Sequence, residues 1–179
     1  GTSNMLLWNT HNPFRSCLVF DDGHCILWDY QESNHYLESN YLYIDEVRTG
    51  ASMFYFAKGD KVKSAAENFS DQVGQAFKTK GKHSKRLAID KIMLDGFKSL
   101  ENRDFKIENG EKIMEHARSI KSAEEIKAMR CSISACETSM HLMENKTKPG
   151  MTENDIWSIL HSENIKRGGE WIETRLLSS

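Results

Sequence analysis

The sequence predicts an α/β fold. Short β-rich segments alternate with segments of helical spacing through its first two thirds. Near residue 121 the pattern changes to a long helix with one apolar stripe, a Pro-Gly break and a second helix. Together these observations divide the chain into an α/β unit over 1–120 and a second unit over 121–179.

The clearest local signal is "CLVFDDGHCILWDY". Residues 17–20 and 24–30 are β-rich, and Asp21-Asp22-Gly23 supplies a tight turn, so this is a hairpin. "YLYIDEV" (41–47) is predicted as another strand. Val62, Ala66, Phe69, Val73 and Phe77 recur at helical spacing, with Gly81 as the stop. A strand over 86–92, a helix in "LDGFKSLEN", a strand in "DFKIENG" and a helix in "GEKIMEHARSI" complete the first unit.

Ser122 and Glu125 have capping-box spacing at the start of the long helix. Ile126, Met129, Ile133, Cys136, Met140 and Met143 then form a single apolar seam. Pro149 and Gly150 end this helix. Thr152 with Asp155 caps the next one, Gly168-Gly169 stops it, and "EWIETRLLSS" alternates as a strand. The seam needs a partner, and the residues up to Ser179 are too few to provide one.

Composition narrows the function classes. The chain has 179 residues, 39% hydrophobic and 28% charged, enough for one ordinary core with part of another. A formal charge of −2 gives no basic footprint for nucleic acid. No apolar run reaches membrane-span length. Cys17, Cys25, Cys131 and Cys136 lack CxxC spacing and follow no signal peptide, so they read as reduced thiols of a cytoplasmic protein.

No catalytic motif of the common hydrolase, kinase or dinucleotide-binding types is present. Glu137 and His141 are four apart on the long helix, where they flank the seam in solvent rather than bind metal. "HSE" at 161–163 carries no more weight. "HNPFR" (11–15) is a loop feeding a strong strand, a common setting for ligand contacts. Arg15 could clamp a carboxylate there, although read locally it is an exposed surface arginine beside a packed Phe14.

The segments "ARSIKSAEEIKAMRCSISACETSM" and "KPGMTENDIWSILHSENIKRGGEWIETRLLSS" resemble the creatinase/prolidase/aminopeptidase P superfamily. The matching positions are Arg118, Ile120-Lys121-Ser122, Glu125-Ile126, Pro149-Gly150-Met151-Thr152-Glu153 and Gly168-Gly169. The resemblance implies a creatinase/prolidase-type N-terminal domain over 1–120, a mixed sheet flanked by helices whose first strand is cut. It also implies that 121–179 is the opening of a pita-bread α+β catalytic domain.

Further expectations come from the resemblance alone. The full-length parent is a homodimer that holds two divalent metal ions (Mn, Fe, Co or Zn) and hydrolyses a C–N bond in a small carboxylate-bearing or dipeptide substrate. The catalytic residues and all metal ligands lie outside this chain. Arg15 falls where creatinase-like members place an arginine that reaches the partner's active site, with Trp8, His11 and Phe14 as weaker neighbours. "NMLLW…HNPFR…GHCILWDY" with "GGEWIETRLLSS" is also similar to the dimethylsulfoniopropionate lyase branch, which uses the same metal scaffold for an elimination. A metal-free relative acting in binding is the third reading.

Overall fold

A computed structural model describes residues 15–29, 44–50 and 52–169. The chain divides into two compact units, Gly1–Ala117 and Arg118–Ser179.

In the first unit, β1 (Ser16–Val19) and β2 (Cys25–Asp29) form the expected antiparallel hairpin, and β3 (Glu46–Thr49) runs parallel to β2 on its other side. Gly23 adopts φ +85° in the Asp21-Asp22-Gly23 turn, a conformation that costs an L side chain strain. Lys80 donates to Asp22 at 2.9 Å and Lys82 to Asp21, which ties the turn to the end of the following long helix. These ammonium groups hold both carboxyls below the usual carboxylate range.

A one-turn helix α1 (Tyr55–Lys58) and a 3-10 turn lead into α2 (Val62–Thr79). Then come β4 (Arg86–Ile89), α3 (Leu94–Glu101), β5 (Lys106–Asn109) and α4 (Glu111–Ser119). β4 and β5 pair in parallel, the geometry that a helical crossover such as α3 permits. The strand expected over 86–92 stops at Ile89, and the one expected over 41–47 is described only from 44 and occupies Glu46–Thr49. The mixed sheet implied by the resemblance is, among the described residues, a three-stranded mixed sheet and a separate two-stranded parallel one.

Helix α2 explains how the two sheets share a core. Ala66, Phe69, Val73, Ala76 and Phe77 recur every three or four residues and are all buried. Phe69 meets Trp28 edge-on, with ring centroids 5.2 Å apart, and Phe77 meets Phe105 edge-on at 5.1 Å. Leu18, Phe20, Ile26 and Trp28 supply the sheet side of the cluster, and Leu87, Ile89 and Ile107 pack at its edge. Burying one such aromatic contributes about 1.5–3 kcal/mol, and Phe69→Ala would lose about 3–5 kcal/mol because a cavity remains. Trp28 Nε1–H donates to Gln72 Oε1 at 2.8 Å, so the indole's polar edge is satisfied where its ring is buried.

In the second unit, α5 (Ala123–Lys146) and α6 (Glu153–Lys166) pack on each other. Both predicted capping boxes are present. Glu125 N–H donates to Ser122 Oγ and Ser122 N–H to Glu125 Oε2; Asp155 N–H donates to Thr152 Oγ1 and Thr152 N–H to Asp155 Oδ2. Gly168, at φ +89°, closes α6: its N–H donates to Ile165 O at 3.0 Å and Gly169 N–H to Asn164 O at 2.8 Å. The strand expected over 170–179 lies outside the described residues.

The seam is the informative feature of α5. Ile126, Met129, Ile133 and Met140 are exposed, while the fully buried position on the helix is Ser139, whose hydroxyl donates back to Ala135 O at 2.7 Å. The apolar periodicity read from the sequence is therefore real, but most of this face is exposed, with Met143 half-buried at its end.

Candidate functional site

Arg15 stands at the entry to β1. Its Nε–H donates to Asp29 Oδ1 at 2.5 Å, and the two side chains are 9% and 0% exposed. The register explains the pairing. Ser16 pairs with Trp28, so one step outward sets Arg15 opposite Asp29. Because strand side chains alternate, the pair lies on the face opposite Leu18, Ile26 and Trp28, away from the aromatic core.

This arrangement corrects the expectation of an exposed surface arginine. A charge as buried as Asp29 requires a partner, and removing one member of such a pair costs far more than breaking a surface ion pair. Arg15 thus has a structural role whatever ligand it meets. Asp29 was missed as its partner. The signal was present, because a hairpin centred on Asp22 mirrors residue 15 onto residue 29.

Two residues further along the same face, Cys17 and Cys25 bring their sulfurs to 3.1 Å. Beside them, Cys25 N–H donates to Asp45 Oδ2 at 2.8 Å, and Asp45 N–H returns a bond to Cys25 O at 3.0 Å. All four cysteines are free thiols. On the sheet's far edge, Arg48 grips Glu46 through Nε and Nη2 at 2.6 and 2.9 Å, donates to Gln72 O, and sits 5.4 Å above the Trp28 ring. This network binds β2, β3 and α2 together.

Trp8, His11 and Phe14 lie outside the described residues. His141 is exposed and meets Glu144 and Asn145 of its own helix; with Glu137, Met140, Met143 and Glu144 it lines an open surface pocket. His161 stacks on Trp157 at 4.7 Å. Among the described residues, no three His, Cys, Asp or Glu side chains converge in a way that could hold a metal ion. The two ions implied by the resemblance therefore find no fitting site there, and no chemical step is assigned to them. No described helix is long and apolar enough to cross a membrane.

No protein-family model matches the chain. Two curated proteins do. The dimethylsulfoniopropionate lyase DddP of Roseobacter denitrificans is 50% identical over 183 aligned positions, covering 99% of this chain and 41% of that protein. DddP of Roseovarius nubinhibens is 49% identical over the same shares. The chain thus spans about two fifths of the length of the curated relatives it matches. Identity at this level along virtually the whole chain makes the protein a homologue of the DddP proteins and, through them, a member of the pita-bread superfamily that its own motifs resemble.

Proposed function

We propose that the full-length protein is a dimethylsulfoniopropionate lyase. The observation that carries this reading is the 50% and 49% identity to two proteins bearing that name. It takes precedence over hydrolysis of a C–N bond by a Xaa-Pro peptidase or creatinase, because those activities rest on superfamily likeness alone. In the elimination, a base removes a proton from the carbon next to the substrate carboxylate. The C–S bond of the sulfonium then breaks, dimethyl sulfide leaves with the bond's electron pair, and acrylate remains.

Within this reading, residues 1–120 form the N-terminal domain, 121–179 opens the pita-bread domain, and the enzyme is a homodimer with two divalent metal ions. The exposed seam of α5 is the surface on which the catalytic domain's sheet packs. Arg15 contacts the substrate carboxylate in the partner's active site. Trp8, His11 and Phe14 are the weaker candidates for the same substrate contact, and Asp29 fixes the direction of Arg15.

The test is to supply purified full-length protein with dimethylsulfoniopropionate, a Xaa-Pro dipeptide and creatine in separate reactions. Headspace gas chromatography should detect dimethyl sulfide in the first, with acrylate in equal amount. Dipeptide or creatine cleavage without dimethyl sulfide would instead establish the hydrolase, and no turnover with any of them the binding relative.

A further inference from the structure

The hairpin face that carries Arg15 and Asp29 also holds two sulfurs closer together than ordinary packing brings them. Phe20 N–H donates to His24 O at 2.9 Å, which sets the phase of the β1–β2 ladder. Hydrogen-bonded pairs fall at 20/24, 18/26 and 16/28, so 17/27 and 19/25 are the non-hydrogen-bonded pairs, where side chains approach most closely. The strong right-handed twist of a hairpin then swings Cys17 toward its diagonal neighbour Cys25. The 3.1 Å separation is within about 1 Å of a disulfide bond length.

We propose that Cys17 and Cys25 form a redox modification site, closed to an intrachain disulfide by hydrogen peroxide. Three features support it besides the distance. Cys17 is exposed, which gives an oxidant entry, while Cys25 is buried. The two hydrogen bonds between Cys25's backbone and Asp45 hold that strand position in place. The thiols are also hydrogen-bonded to each other, and this contact pushes Cys25 down and Cys17 up. One sulfur of the pair is therefore the easier to ionise, and the thiolate is the nucleophile.

The chemistry balances with peroxide alone. The ionised sulfur attacks one peroxide oxygen, the O–O bond breaks, and the departing hydroxide takes a proton to become water. The second sulfur then attacks the resulting sulfenic acid, the S–S bond forms, and the hydroxyl leaves as water with the second thiol's proton. Two thiols give up two electrons, and one peroxide accepts them. Cys131 and Cys136 serve as internal controls. Both are exposed, but five residues apart on α5 they do not face each other.

The experiment exposes the full chain to hydrogen peroxide, blocks remaining thiols by alkylation, and maps the cysteines by mass spectrometry with and without reductant. The expected product is a peptide carrying Cys17 and Cys25 that is lighter by two hydrogens and takes no label until reduced, while Cys131 and Cys136 are labelled. In Cys25→Ser, oxidation should stop at a Cys17 sulfenic acid that dimedone traps. Should that buried substitution prevent folding, Cys17→Ser at the exposed position gives the same reading at Cys25. Labelling of Cys17 and Cys25 as complete as that of Cys131 and Cys136 would overturn the proposal. So would linkage of either to Cys131 or Cys136, or wild-type oxidation straight to sulfinic acid.

Discussion

Arg15 and Asp29 face each other across the β1–β2 hairpin, joined by a 2.5 Å bond from Nε to Oδ1 on the side of the sheet away from the aromatic core. Arg15→Ala leaves a carboxylate buried without this cation, so we expect a stability loss of about 3–5 kcal/mol. The double replacement Arg15→Met with Asp29→Leu should recover most of that loss, since an apolar pair leaves no buried charge. Urea denaturation of the three variants measures both. A loss below about 1 kcal/mol for Arg15→Ala would reduce the pair to the level of a surface ion pair.

Helix α5 begins at a reciprocal cap, so its first turn should respond to one hydroxyl. Ser122→Ala removes the acceptor for Glu125 N–H and should cost about 1 kcal/mol. The readout is faster hydrogen exchange at Ala123–Glu125, with the amides of α2 unchanged. Ser122→Asp, which keeps an acceptor, should restore protection.

Arg103 Nε–H donates to Asp71 Oδ1 at 2.6 Å and holds the Asp71 carboxyl below the usual range. The unfolded chain therefore binds this proton first as pH falls. The pair's contribution is complete above about pH 4, the ordinary aspartate value, and is lost as pH drops through the lower folded-state value. Both partners reach solvent, so the effect is small. Denaturation midpoints between pH 2 and 7 should fall less steeply on the acid side in Asp71→Asn than in wild type.

The seam of α5 should behave as surface in this chain. Ile133 is 53% exposed, and Ile133→Glu should change stability by no more than about 0.5 kcal/mol. The same change should reduce self-association in sedimentation velocity, because exposed apolar stripes promote it. Amides of α5 and α6 should exchange faster than those of β1 and β2. A severe loss of stability in Ile133→Glu would show that the seam is packed in solution.

The signals that the sequence carried unaided were the short-range ones. Asp21-Asp22-Gly23 fixed the hairpin, because a turn with a residue at positive φ depends on a few adjacent residues. Ser122 with Glu125 and Thr152 with Asp155 fixed two helix starts, because a cap closes within four residues. The α2 stripe also stood as read, since its period alone sets which face is apolar. Motifs spread along the chain carried the superfamily, and the identity to DddP bore that out. Tertiary structure decided what depends on distant partners. Whether an apolar stripe is buried depends on what lies against it, so the α5 seam, as regular in sequence as that of α2, is exposed. Whether Arg15 is surface or core depends on the register that sets it opposite Asp29, and whether two cysteines meet depends on ladder phase and twist. Local composition holds none of that information, because each contact joins residues that only the folded strands bring together.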